Sequence, residues 1–194
     1  MKVVAVVCLT FTLASVAFTA RAGSEPTALE ARASRPDVEV VSSTLIGSIE
    51  SSDAKVSISA LVVRELAAPS HRTLGVRFDL ANNNTADKLY LDPVQLRSLQ
   101  KELTEIEGSI ARNEQDDSAP YRVQGTASCW MPARPVRIVC PSYRIGPDWA
   151  GLTLGAYGGT TFAFPGRRPG DLMKLLEKAQ AQIAAAAALS PTER

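Results

Sequence analysis

Two stretches of the chain alternate apolar and polar residues. Val56, Ile58, Ala60 and Val62 share one parity while Lys55, Ser57 and Ser59 take the other; Leu74, Val76, Phe78 and Leu80 alternate with Thr73, Gly75, Arg77 and Asp79. A period of two belongs to strands buried on one face only. Leu89 and Leu91 continue the pattern with Lys88 and Tyr90 outward, and Val38 to Ile49 reads as an opening strand. Asn82 to Asp87, rich in residues that tolerate left-handed backbone, reads as a turn.

At Asp92 the period changes. Asp92 suits an N-cap, Pro93 the first helical position and Gln95 the third position of a capping box, with Leu91 and Leu96 placed for a hydrophobic staple. Leu96, Leu99, Leu103, Ile106 and Ile110 follow at spacings of 3, 4, 3 and 4, which predicts one helix with a single apolar stripe facing a sheet. The polar stretch after it, through Asp116, Asp117 and Pro120, reads as a linker.

The second half has the same order. Tyr121 to Met131 and Val136 to Ile145 predict a hairpin, Leu152 to Tyr157 and Thr161 to Phe164 two further strands, and Asp171 to Leu189 a helix whose stripe is Leu172, Leu175, Leu176, Ala179 and Ile183. Thr73-Leu74-Gly75 reappears as Thr153-Leu154-Gly155, and Leu96 as Leu172. The expected fold is α+β, an antiparallel sheet with helices on one face, built as a tandem β-β-β-β-α repeat. The corresponding organisation is a signal peptide over 1–22, a mobile lead-in over 23–36, a first unit over 37–112, a linker over 113–120, a second unit over 121–189 and a tail over 190–194.

The signal peptide rests on Lys2, the apolar or small run from Val3 to Ala20, and the small-x-small pattern Ala20-Arg21-Ala22. It predicts an exported, periplasmic or extracellular protein with no stable membrane insertion after cleavage. In that compartment the two remaining cysteines, Cys129 and Cys140, are expected as a disulfide. Folding the hairpin about the midpoint between Arg134 and Pro135 sets them opposite each other.

Charge changes the picture by its distribution. Gly23 to Pro120 hold 16 acidic and 10 basic residues, whereas Tyr121 to Lys178 hold 3 acidic and 8 basic. Either the two halves attract each other, or the basic half meets an acidic partner. The mature chain is nearly neutral, which argues against nucleic acid as that partner.

Candidate chemistry is sparse. His71 is the sole histidine. The chain lacks a Gly-x-Ser-x-Gly elbow, a phosphate loop and a pair of histidines for a metal, so no catalytic residue, metal or cofactor is expected. Strand parity instead predicts an outward aromatic and basic sheet face made of Arg122, Trp130, Arg137, Val139 and Tyr143. Tyr157 joins that face if its strand keeps register, and Trp149 lies on a nearby turn-like loop. Aromatic and arginine side chains dominate interface energetics. The expected function is therefore non-enzymatic binding, with a protein partner in the envelope or outside the cell. A carrier of a small apolar ligand held between sheet and helices is the alternative, and a carboxylate-based hydrolase the remote one.

Overall fold

The computed structural model describes residues 25–113, 122–124, 137–146, 149–156 and 159–188. The first half forms β1 (Val38–Glu50), β2 (Ala54–Glu65), β3 (Arg72–Asn82) and β4 (Ala86–Leu91), followed by α2 (Pro93–Asn113). The second forms β5 (Arg122–Gln124), β6 (Cys140–Gly146), β7 (Trp149–Gly155) and β8 (Thr161–Pro165), followed by α3 (Pro169–Ala188). Each set of strands is an antiparallel meander in chain order, so the α+β class holds, with two four-stranded sheets in place of one.

The start of α2 is specified by side chains. Asp92 Oδ1 accepts from the amides of Val94 and Gln95, each at 2.8 Å, and Gln95 Oε1 accepts from the Asp92 amide at 2.9 Å. These bonds satisfy donors that a helix start leaves without partners. The turn before β4 is held the same way, by Asn82 Oδ1 accepting from the amides of Asn84 and Thr85 at 2.9 and 2.7 Å.

The helices do not stay over their own strands. α3 packs on β1, β2 and β3, while α2 packs on β5 and β6 as well as on β3 and β4, and the two helices touch. One core therefore spans both sheets, joining Val56, Ile58, Phe78 and Leu89 to Leu152, Leu154, Phe162 and Phe164. The stripe of α2 is divided: Leu96, Leu99 and Leu103 enter that core, and Ile106 and Ile110 form a second cluster with Tyr143, packed by Ile145.

The expected mobile lead-in is corrected by α1 (Ala28–Ala33), which docks on the face of the first sheet opposite α3. Thr27 Oγ1 accepts from the Glu30 amide at 3.1 Å and its hydroxyl donates to the Tyr90 carbonyl at 2.9 Å. Leu29 is 0 % exposed and lies over Gly75. A Cβ at Gly75 would overlap the Leu29 side chain and come within 2.6 Å of the Leu91 carbonyl oxygen, so the absent side chain is what admits the leucine. One large apolar residue among alanines in a six-residue helix leaves no period to detect.

At its open end the predicted hairpin departs from the expected register. Folding about residues 134 and 135 sets Cys129 against Cys140, but the ladder pairs Arg122 with Arg144, Val123 with Tyr143 and Gln124 with Ser142, three residues away from that register. Cys140 is buried, with Sγ 3.8 Å from the Ile138 carbonyl oxygen. Cys129, the signal peptide, the linker, the tail and the remainder of the expected Tyr121 to Met131 strand lie outside the described residues. Among the described residues no helix is long and apolar enough to cross a membrane.

Candidate functional site

The outer face of the second sheet follows from register. Leu152 and Leu154 of β7 enter the core, so Trp149, Gly151 and Thr153 take the other face. Their partners there are Gly146, Arg144 and Ser142 on β6, and Pro165 and Ala163 on β8. Arg144, Trp149, Thr153 and Ala163 border an open depression of about 370 Å³. Arg144 is exposed and Trp149 half-buried. Gly151, under the centre of this face, has no room for a side chain, because a Cβ would lie 2.9 Å from Pro165 Cα as β8 crosses close by.

Trp149 opens β7 where a loop was expected. Arg122 holds the β5 position directly opposite Arg144. Trp130 and Tyr157 lie outside the described residues.

Val139 and Tyr143 require correction, because both point inward. Val139 is 3 % exposed in the main core, and Tyr143 is 5 % exposed against Ile106 and Ile110. The far end of α2 needs apolar partners, and Tyr143 and Ile145 supply them. The ladder from β6 to β7 runs through Pro141 without a shift, so the odd-numbered positions of β6 face the helix along its length. Arg144, at even parity, is the outward residue that sequence reasoning missed. Inverting the parity of that one strand would have found it.

Arg137 sits elsewhere, in a clasp between the two halves. Its Nη1 donates to Glu30 Oε1 at 2.9 Å, its Nη2 to Asp87 Oδ1, and its backbone amide to the Glu25 carbonyl at 2.9 Å. The carboxyl side chains of Glu30 and Asp87 are 13 % and 7 % exposed, against 28 % for Arg137. Burial in this degree makes the guanidinium a counter-ion for carboxylates that would be costly alone. With Asp79, Lys88 and Tyr90, these three residues line a cleft of about 460 Å³. Burial pushes the Tyr90 phenol above its ordinary value; Arg77 opposes the shift, and Asp79 and Glu30 add to it. The carboxylates here already hold cations, Asp79 Oδ2 accepting from Arg77 Nε at 2.8 Å, so the cleft reads as a structural junction.

The described residues form an α+β protein of two linked meanders, the second carrying Arg144 and Trp149 on its outer face. Compared with protein families, curated proteins and solved structures, the chain matches none.

Proposed function

We propose that this chain works outside the cytoplasm as a non-enzymatic binding protein, recognising a protein partner through the outer face of its second sheet. The observation that carries the reading is the open depression bordered by Arg144, Trp149, Thr153 and Ala163. Tryptophan and arginine are the residue types over-represented among energetically dominant interface positions. The export pattern of residues 1–22 supplies the compartment, and with it a disulfide between Cys129 and Cys140, supported by an even count of cysteines after cleavage and by the burial of Cys140. Alkylation of the denatured, unreduced mature chain should label no thiol; labelling of both cysteines would remove the bridge.

The binding reading is tested by capture from a native envelope extract on the immobilised chain. Thr153→Trp fills the depression and Trp149→Ala removes its aromatic wall. A species retained by the natural chain and lost by both variants is the expected result. Identical retained species on all three would defeat the assignment of this face.

A further inference from the structure

We propose that the segment received by this face is acidic, with Arg144 binding its carboxylates beside Trp149. The inference rests on the binding reading and names the chemistry of the partner.

Charge inventory is the first observation. The four strands of the second sheet read Arg-Val-Gln, Cys-Pro-Ser-Tyr-Arg-Ile-Gly, Trp-Ala-Gly-Leu-Thr-Leu-Gly and Thr-Phe-Ala-Phe-Pro. Among the described residues of these strands only Arg122 and Arg144 are charged, and they stand directly opposite one another. Like charges directly opposite in an antiparallel ladder are destabilising. Among the described residues the Arg144 side chain makes no hydrogen bond or ion pair that would offset this.

The first sheet contains the same arrangement and shows how this chain resolves it. Arg64 stands opposite Arg72, and on the neighbouring strand Glu39 is the register partner of Arg64. Glu39 Oε2 accepts from Arg64 Nε and Nη2 at 3.0 and 2.9 Å. A carboxylate beside two opposed arginines is thus the solution already present in this fold. Among the described residues the strands of the second sheet offer none, and a carboxylate from a partner would complete the pattern. The excess of basic over acidic residues from Tyr121 to Lys178, 8 against 3, favours such a partner at longer range. Trp149 adds an apolar wall, which fits an acidic residue followed by an aliphatic or aromatic one.

The test uses the chain from Gly23 onward, which retains every described residue, and a fluorescein-labelled decapeptide of alternating Glu and Leu read by anisotropy. A matching peptide with Lys in place of Glu is the control. The acidic peptide should bind, more weakly as salt rises. Arg144→Glu should lower its affinity about tenfold or more, with Arg144→Lys between the two. Unchanged circular dichroism of the variants shows that folding is kept. Equal binding of both peptides, or no loss on charge reversal, overturns the proposal. So does displacement of the peptide by inorganic phosphate at its own dissociation constant, which would assign the site to a small free anion. If envelope capture depends on Thr153 and Trp149 but not on Arg144, the binding face stands and its acidic partner falls; if capture depends on none of them, both fall.

Discussion

The two sheets share strand order, and each is followed by a helix opening on proline, Pro93 and Pro169, with a fully buried leucine three residues on, Leu96 and Leu172. The strands correspond less closely. Thr73-Leu74-Gly75 falls near the start of β3, whereas Thr153-Leu154-Gly155 ends β7, so the repeated string occupies different places. The outer faces differ most. On the first sheet α1 covers one end and the exposed remainder carries opposite charges in pairs, Glu50 with Lys55 and Arg77 with Asp79. On the second sheet Cys140 and Ser142 are buried, but Arg144 of the same parity is exposed and, among the described residues, has no compensating charge. A sheet's needs for stability thus differ from what it leaves exposed, which on the second sheet is Arg144.

The largest way to break this contrast is to uncover the first sheet. Leu29→Ala removes the residue that fills the space over Gly75 and should destabilise the chain by about 3 kcal/mol, the scale of a large-to-small change in a core. Urea unfolding followed by circular dichroism measures it. A change near zero would mean that α1 is not held in solution and that both sheets have open outer faces. Next in size is the clasp. Arg137→Met should cost about 2 kcal/mol, below the range for a fully buried pair because the arginine is partly solvated. Adding Glu30→Gln to Arg137→Met should recover part of the loss, since one of the two uncompensated carboxylates is gone. Strict additivity of the two substitutions would show that the pair does not couple.

Charge reversal on the second sheet should act in the opposite sense. Arg144→Glu replaces a like-charge opposition with an attractive pair across the ladder, so it should stabilise the free chain by about 0.5 kcal/mol. The stabilisation should shrink as salt screens the pair. A destabilised Arg144→Glu chain would show that an internal carboxylate already balances the arginines. It would then remove the contrast between the sheets. A gain in stability accompanied by loss of peptide binding is the pattern expected where a surface is kept for a partner.

The parts of this fold that could be read from sequence are those with a long single period or a distinctive cap. The stripe of α2 and its capping box at Asp92 and Gln95 are of this kind, as are β2 and β3, whose alternation runs over many residues. The second sheet was harder because β6 is short and buried on both faces for most of its length: Cys140, Ser142 and Tyr143, and Val139 just before it, are each at most 5 % exposed. Such a run has no alternation to set its parity, and the parity was instead inferred from a cysteine pairing whose register the ladder does not follow. Val139 and Tyr143 were therefore placed outward, and Arg144 was overlooked. Strand parity puts Arg137 on the outward face, whereas it bonds partners 107 and 50 residues away, in α1 and β4, which no local pattern announces. Trp149 was expected near the binding face as a loop residue, and β7 begins early enough to carry it into the sheet.

The finest distinction between the two outer faces concerns pH. The Tyr90 phenol lies at the charged cleft of the first sheet, where burial raises its pKa above the ordinary value near 10, helped by Asp79 and Glu30 and opposed by Arg77. A group whose folded pKa is raised contributes stability that is fully present below the unfolded pKa. That contribution is lost as pH rises through the folded value, because the unfolded chain releases the proton first. Stability should therefore fall at alkaline pH from about 10 upward. Tyr90→Phe should flatten that part of the fall while leaving the profile near neutrality almost unchanged. Trp149→Phe on the second sheet removes no ionisable side chain, so it should leave the alkaline slope as it is. Unfolding midpoints in urea, measured from neutral to strongly alkaline pH for the natural chain and both variants, make the comparison. Identical slopes for the natural chain and Tyr90→Phe would show that the cleft is open enough to water for the phenol to titrate as it does in the unfolded chain. The Tyr90 cleft of the first sheet and the exposed Arg144 of the second would then differ less in solvation than their burial implies.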